Sequence, residues 1–192
     1  FDPIQAQKEL DEAGWTLDES GVRKKEDREL RIRLVSQSLS EYAAITQQLQ
    51  RDWGVIGVRV DAVLQPEQEI QLNAIARHDY DALLYGIAVG YDPDVFAFWH
   101  SSQADPTASS RLNLSEFKNS VADEALEAGR TRTDEELRNV KYSPFLEVWR
   151  DEAPAVALYQ PRFFKIVQGT FEGFENGQFT RGVNRFFSVQ NW

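Results

Sequence analysis

Two histidines and a pair of aspartates are the residues of this chain whose types could do chemistry. His78 and His100 stand 22 positions apart, a spacing that matches no metal-binding or metalloprotease motif. His100 precedes Ser101 and Ser102, so a hydrolase that uses His100 is one hypothesis, although three neighbours in sequence do not make a catalytic triad. A histidine in a loop is the simpler interpretation, and we predict that the chain is not an enzyme.

Asp92 and Asp94 flank Pro93 and form the second such pattern. Carboxylates at alternate positions could hold Ca²⁺, but no EF-hand glycine or distal glutamate follows them. An Asp-Pro-Asp sequence more often forms a turn and caps the next helix, and we favour that interpretation. The chain has no cysteine, no glycine-rich phosphate loop and no GxSxG motif, so the sequence predicts neither a cofactor nor a metal site.

The composition limits the class of partner. The 192 residues carry 31 acidic and 21 basic side chains, which gives a formal net charge of −10. This excess of acid argues against nucleic acid and anionic membrane surfaces, because both attract Lys and Arg. A hydrophobic share of 42% fits a folded chain with a core. The chain opens on a helix start without a methionine, so we expect a fragment of a longer protein.

Alternating strands and helices in the first half of the chain are expected to position the histidines and aspartates named above. Apolar residues at every second position predict half-buried strands at 30–34 and 58–64, and a capping box at Ser38 and Glu41 opens a helix between them. A crossover of that length joins parallel strands. The apolar run at 82–85 predicts a third, more buried strand. The predicted fold class is therefore α/β, with a mixed sheet flanked by helices.

The remaining segments carry weaker patterns. Residues 16–29 are polar and predict a turn around Gly21. A capping box at Thr133 and Glu136 predicts a helix, and Pro144 inside it predicts a kink or a break. Further strands are predicted at 155–159, 163–167 and 186–189.

An irregular, aromatic stretch at 86–118 follows the third strand directly. Ligands of open α/β sheets bind beyond the carboxyl ends of the strands. Gly86 and Gly90 would let a ligand approach the backbone, and Tyr91, Phe96 and Trp99 offer apolar walls. The sequence supports equally well the alternative that these aromatics only pack the loop onto the domain.

Several segments, in order and at specific spacing, are similar to a known family. They are FDPIQAQKELDEAGW at 1–15, the strand–helix–strand at 30–64, YDPDVFAFWHSSQ at 91–103, NLSEFKNSVADEALEAGRTRTDEELR at 113–138 and APAVALY at 153–159. Together they resemble the extracytoplasmic solute-binding proteins of ABC transporters, family 5, a group with peptide-binding and nickel-binding members.

The resemblance implies one lobe of a periplasmic-binding-protein-like fold (type II, cluster C). Residues 1–162 would form the second, C-terminal lobe without its first elements, and 163–192 would return toward the N-terminal lobe of the same parent protein. A small solute, such as a peptide, would bind between the lobes and pass to ABC permease subunits in the membrane. The implied location is extracytoplasmic, with an anchor upstream of this chain.

The resemblance and the strand-end argument together predict the site residues. The predicted ligand-facing residues are Tyr85, Gly86, Ile87, Ala88, Val89, Gly90, Tyr91, Phe96 and Trp99. A second set is predicted to shape the loop and start its helices, namely Asp92, Asp94, Asn113, Phe117, Asn119 and Asp123.

One departure from the family bears on the ligand. Peptide-binding members tend to carry a Trp and an Asp where this chain has 86–90, and that Asp pairs with the free amine of the peptide. An unpaired ammonium in a closed cleft would be costly. A neutral, blocked or sugar-like ligand therefore stays open, as does a peptide held by the other lobe. A structural domain that binds no small ligand is the third hypothesis.

Overall fold

The computed structural model describes residues 2–90, 92, 94–105, 112–162, 164, 166 and 168. The chain divides into two compact units, the first ending at Gly86 and the second beginning at Ile87. The first unit mixes helices with strands, so the predicted α/β fold class is confirmed. The predicted boundary at 162 and the predicted strands at 163–167 and 186–189 fall in a stretch that lies almost wholly outside the described residues.

The elements follow one another along the chain. In the first unit they are α1 (Pro3–Glu12), β1 (Thr16–Leu17), β2 (Arg23–Lys25), β3 (Arg28–Glu29), β4 (Arg31–Gln37), α2 (Ser40–Val55), β5 (Arg59–Gln65), α3 (Glu67–Glu69) and β6 (Ala82–Leu84). A π-helical segment, Ile70–Ile75, continues α3. In the second unit they are α4 (Phe96–Trp99), a 3₁₀ turn (Ser101–Gln103), α5 (Ser120–Arg130) and α6 (Glu135–Glu152).

The main sheet of the first unit is parallel, with the strand order β5-β4-β6. Leu34, Val35 and Ser36 of the middle strand are buried in succession. Val35 packs against Ile70 and Ala74 of the π-helical segment. Successive side chains point to opposite faces, so both faces of β4 are covered here. The half-buried character predicted for 30–34 is confirmed up to Arg33, while the strand continues past the predicted end into this buried stretch, and its parallel pairing is confirmed.

Residues 16–29 form a small antiparallel sheet, β1-β2-β3, where the sequence predicted only a polar turn. Glu26 and Asp27 join β2 to β3 and both have positive φ angles, 50° and 62°, as in a type I′ hairpin turn. Such turns favour Asn and Gly, so this pair carries little sequence signal. The buried Arg23 of β2 donates a hydrogen bond to Asp11 of α1 at 2.5 Å, which ties the small sheet to that helix.

The second unit is built on the packing of α5 against α6. Its core consists of Phe117, Ala122, Ala125, Leu126, Tyr142 and Phe145. A Cβ atom at Gly129 would lie 2.6 Å from the ring of Tyr142. Only glycine therefore lets that ring lie directly against α5, and this close contact brings the two helices together.

Two predicted helix starts are wrong by one residue. The N-cap of α2 is Leu39, which offers no side-chain hydrogen bond, and the N-cap of α6 is Asp134. The Asp134 carboxylate accepts a hydrogen bond from the backbone N–H of Leu137 at 2.8 Å. Capping-box spacing alone cannot say which of two neighbouring residues takes the extended backbone of a cap.

Helix α6 runs without a break through Pro144. Tyr142 and Phe145 are buried on either side of the proline, so packing against α5 holds both halves of the helix in place. Of the two predicted alternatives, the break is therefore wrong, and the kink stays a prediction. Residues 155–159 form no strand either, since no neighbouring strand pairs with them among the residues that the structure describes.

Candidate functional site

The three parallel strands of the first unit end together at one edge of the sheet. Gln37 and Gln65 end β4 and β5 as register partners, and Tyr85 follows β6. Tyr42 in the first turn of α2 and Gln71 in the π-helical segment lie beside these strand ends, as their contacts described below show. We call these five residues the carboxyl edge, and all five side chains are polar and uncharged.

A side-chain hydrogen bond links the π-helical segment to the end of β6. The amide Nε2 of Gln71 donates to the hydroxyl of Tyr85 at 2.7 Å. Gln71 is exposed, whereas Tyr85 is half-buried. Single π-helical turns occur frequently at functional sites, because the wider turn shifts side chains from their normal helical positions.

Gly86 is closely approached by Tyr42. A Cβ atom at position 86 would lie 2.8 Å from the Tyr42 hydroxyl oxygen. The sequence predicts that Gly86 allows a close approach to the backbone, and in this structure the group that uses the space is a tyrosine hydroxyl of the same unit.

One polar atom at the carboxyl edge is left unsatisfied. The side-chain oxygen Oε1 of Gln65 is buried and accepts no hydrogen bond from the part of the chain that the structure describes. A buried acceptor without a donor costs free energy, so such an atom calls for a partner from outside these residues.

Sequence reasoning predicted Tyr85 but missed the other four residues of the carboxyl edge, namely Gln37, Tyr42, Gln65 and Gln71. Tyr42 occupies an apolar position in the periodic pattern of α2, and Gln71 lies in a weak helical pattern that gives no hint of a π-helical turn. A usable signal for Tyr42 is the topology, because the first turn of the helix after a parallel strand lies at the carboxyl edge of the sheet.

The predicted ligand-facing residues of the second unit begin the chain segment after Gly86. Ile87, Ala88 and Gly90 are exposed and Val89 is half-buried, and the segment has no regular secondary structure. Tyr91 lies outside the described residues.

Phe96 and Trp99 have packing partners within the second unit. Both are half-buried against the core of α5 and α6. The Trp99 and Trp149 rings meet edge to face with centroids 5.4 Å apart, and Phe96 stacks on His100 at 4.0 Å. This geometry favours the alternative that these aromatics pack the loop onto the domain.

His100 is held as a structural residue. Its Nδ1 accepts a hydrogen bond from the backbone N–H of Ser102 at 3.1 Å, which caps the 3₁₀ turn. Its Nε2 lies 3.3 Å from a carboxylate oxygen of Glu127. The Ser102 hydroxyl oxygen also lies 2.8 Å from Nδ1, so this nitrogen contacts both the backbone and the side chain of Ser102. A contact between neighbours in one turn does not by itself make a catalytic site, and a hydrolase that uses His100 stays a hypothesis.

Asp92 and Asp94 make turn and ion-pair contacts. Asp92 Oδ1 accepts from the N–H of Asp94 at 2.9 Å, and Asp94 Oδ1 accepts from the N–H of Phe96 at 3.0 Å. Asp92 also pairs with Arg138 of α6, and Asp94 pairs with Arg130 of α5. The hydrogen bond from Arg138 lowers the pKa of Asp92 and raises the pKa of the guanidinium.

The remaining predicted loop-shaping residues hold backbone groups. The side-chain amide of the buried Asn113 donates to the carbonyl oxygens of His100 and Phe117 at 3.1 Å and 2.8 Å. Asn119 caps α5, and Asp123 accepts a hydrogen bond from the N–H of Ser101 at 2.8 Å. Phe117 lies in the core. These contacts fit a role in shaping the loop and starting its helices.

Three further features concern other kinds of site. An open apolar groove of 390 Å³ lies at the opposite, amino end of the parallel sheet and is lined by residues that include Leu10, Ile32, Trp53 and Val58. Among the described residues, no group of three or more His, Asp or Glu side chains is placed to hold a metal ion. Within the same residues, every helix is too short or too polar to cross a membrane.

Comparison with known proteins identifies relatives of one kind. Residues 1–109 match the family described as bacterial extracellular solute-binding proteins, family 5 Middle. The oligopeptide-binding protein AppA of Bacillus subtilis (strain 168) is 25% identical over 182 residues, which make up 91% of this chain and 32% of AppA.

Solved structures share the fold. NikZ from Campylobacter jejuni in complex with Ni(L-His) has a TM-score of 0.72 at 24% identity, over 80% of this chain and 31% of NikZ. AppA from Bacillus subtilis in complex with a nonapeptide has a TM-score of 0.72 at 21% identity, over 80% of this chain and 30% of AppA. The chain spans about a third of the length of these relatives.

Proposed function

Because the chain belongs to the bacterial extracellular solute-binding proteins of family 5, we propose that it is part of the solute-binding component of an ABC importer. In this proposal a small solute binds between two lobes outside the cytoplasm and is delivered to a membrane permease. A solute that contacts both lobes favours the closed state, since those contacts exist together only after closure. The observation that carries the proposal is the family match, whose span includes the whole carboxyl edge.

The proposed solute contact is the carboxyl edge. The hydroxyl groups of Tyr42 and Tyr85 and the amide of Gln71 lie where ligands of open α/β sheets bind. The buried oxygen of Gln65 would receive a hydrogen bond from the solute or from a water that the solute holds. Residues 87–90, which begin the second unit, stay predicted ligand-facing residues in their own right.

The chemistry of the carboxyl edge supports an organic solute with amide or hydroxyl groups. Uncharged amide and hydroxyl side chains match the main-chain groups of a peptide, and AppA is an oligopeptide-binding protein. A metal bound directly by protein ligands is less well supported, because the described residues hold no cluster of metal-binding side chains. A metal chelate such as the Ni(L-His) bound to NikZ would present its organic ligand to the protein.

Native mass spectrometry of the full-length protein, purified gently from its own host, tests the proposal. A reproducible extra mass would identify the retained solute. We expect no measurable binding by the isolated chain, because a partial lobe loses half of the contacts and the gain from closure. Micromolar affinity of the isolated chain for a solute would contradict that part of the proposal.

A matched pair of glutamine variants tests the carboxyl edge. In the full-length protein, Gln71→Ala is expected to weaken binding of the retained solute about tenfold, the usual effect of one lost hydrogen bond. Gln48→Ala is the control, since Gln48 is exposed on α2 and its side-chain amide hydrogen-bonds to Asp52 and Arg51 of the same helix. Equal affinities of the two variants would contradict the assignment of the carboxyl edge.

A further inference from the structure

The hydrogen bond between Gln71 and Tyr85 has a direction that bears on the solute. The amide Nε2 of Gln71 donates and the hydroxyl oxygen of Tyr85 accepts at 2.7 Å, which is at the short end of the range for an N–H···O bond. Among the hydrogen bonds of the described residues, Tyr85 donates none from its hydroxyl. A phenolic hydroxyl both donates and accepts, so the hydrogen of Tyr85 is available to a partner from outside these residues.

The bond from Gln71 favours donation by the Tyr85 hydroxyl over further acceptance. A hydroxyl that accepts one hydrogen bond is polarised by it, so the bond that it donates becomes stronger. The oxygen is already occupied by the Gln71 amide, and an N–H group of a solute would have to share it. A solute oxygen that accepts a hydrogen bond is therefore the better partner for Tyr85.

Core packing holds the two residues at the carboxyl edge. Tyr85 directly follows β6, and it is half-buried. Gln71 directly follows Ile70, which is fully buried and packs against Val35 of the middle strand. The amide thus reaches the hydroxyl from a segment that is fixed to the sheet. A donor that is oriented before the solute arrives loses less conformational entropy on binding.

The charges next to the pair favour a neutral acceptor. Glu67 and Glu69 belong to α3, which the π-helical segment continues, and both are exposed. Glu67 precedes Gln71 by four residues, so the two positions are neighbours on the helix surface. A solute carboxylate beside Tyr85 would be repelled by these glutamates, whereas an uncharged carbonyl oxygen would not.

We propose that Tyr85 determines solute specificity by donating a hydrogen bond to a neutral carbonyl oxygen of the solute, and that Gln71 is a positioning residue that fixes the direction of this bond. The main-chain carbonyl of a peptide is an acceptor of this kind. This inference rests on the proposed solute-binding function and deepens it, because it names the atom that the solute presents to the carboxyl edge.

A double-mutant cycle in the full-length protein tests the coupling of the two residues. The probe is a pool of synthetic pentapeptides with uncharged side chains, acetylated amino ends and amidated carboxyl ends, and native mass spectrometry measures its affinity. Tyr85→Phe and Gln71→Ala should each weaken binding about tenfold. The double variant should also be about tenfold weaker, because both changes act on the same bond. A loss of about a hundredfold in the double variant would show that Gln71 contacts the solute itself, and its positioning role would be wrong.

The variant Gln71→Glu tests the direction of the bond. A carboxylate can only accept, so it would take the hydroxyl hydrogen of Tyr85 and leave none for the solute. We expect binding about tenfold weaker. Gln68→Glu is the matched control, since it adds the same charge at an exposed position of α3 and should leave affinity unchanged. Unchanged affinity of Gln71→Glu, or an equal loss in both glutamate variants, would overturn the assigned direction.

A second pool with free carboxyl ends tests the preference for a neutral oxygen. The unmodified protein should bind the amidated pool more tightly, because the glutamates of α3 repel a carboxylate. If it prefers the free carboxyl ends, the neutral acceptor is wrong while the solute-binding function stands. If it binds neither pool, the proposed peptide-like solute is wrong, and the inference about Tyr85 fails with it.

Discussion

The two ends of the parallel sheet in the first unit are chemically opposite. At the amino end, Arg31 pairs with Asp61 at 2.5 Å and Arg33 pairs with Asp79 at 3.1 Å. The Asp81 carboxylate at this end accepts the backbone N–H of Arg33 at 2.7 Å. The carboxyl edge instead consists of amides and hydroxyls, and the first turns of the helices that follow carry the exposed Glu41, Glu67 and Glu69.

This difference shows which polar groups are satisfied within the chain and which can still form hydrogen bonds with a solute. Ion pairs satisfy the charges of both partners at the amino end, so the surface that remains there for a ligand is the open apolar groove. At the carboxyl edge the Gln65 oxygen is buried without a donor among the described residues, and Gln71 uses one of its amide hydrogens on Tyr85. Polar groups with spare hydrogen-bonding capacity are the ones that a solute can use.

The largest expected effect comes from breaking the support of the carboxyl edge. Ile70 is fully buried and packs against Val35 directly before Gln71. Ile70→Ala should lower the free energy of unfolding by about 3 kcal/mol, because it removes buried methyl groups and leaves a cavity. Urea unfolding of the full-length protein measures this loss. Ile70→Val should cost about 1 kcal/mol, and an equal cost for both variants would show that Ile70 is not tightly packed.

The second expected effect concerns Gly86 and the position of the Tyr42 hydroxyl. Gly86→Ala would place a Cβ 2.8 Å from that oxygen, so the tyrosine side chain must move. We expect solute affinity to fall up to about tenfold, since one hydrogen-bonding group of the carboxyl edge is displaced. The displaced group is the end of a flexible side chain, so the free energy of unfolding should change little.

Gly54→Ala is the matched control for this prediction. Gly54 lies in α2, and a Cβ there would meet no atom within 4 Å. The control should leave affinity unchanged and stabilise the helix by about 0.5 to 1 kcal/mol. If calorimetric titration with the retained solute gave both alanine variants the same affinity, Tyr42 would not belong to the solute contact.

Much of the first unit could be predicted because its signals are local and periodic. The alternating residues of 30–34 and 58–64, with a helix between them, gave the parallel pair directly. The hairpin turn at Glu26 and Asp27 could not be predicted, because Glu does not favour a positive φ angle, no glycine marks the turn and the pairing of short strands decides the conformation.

The candidate site was less predictable because its contacts are distant in sequence. The meeting of Gln71 with Tyr85 depends on a π-helical turn, and the approach of Tyr42 to Gly86 depends on how α2 packs on the sheet. The loop aromatics illustrate the same limit. Only the packing of α5 and α6 reveals that Phe96 and Trp99 have partners in the core.

The smallest expected effect is at the amino end of the sheet, and it tests whether that end takes part in solute binding. Arg31→Ala removes the contact with Asp61, and the Arg31 side chain is 49% exposed. An ion pair this exposed should contribute less than about 1 kcal/mol to the free energy of unfolding, and high salt should screen most of it. Urea unfolding at low and at high salt measures both quantities.

Solute affinity should stay unchanged, because the charges of the amino end are already satisfied within the chain. A loss of affinity as large as that of Gln71→Ala would mean that the solute contacts both ends of the sheet, and the distinction between them would fail.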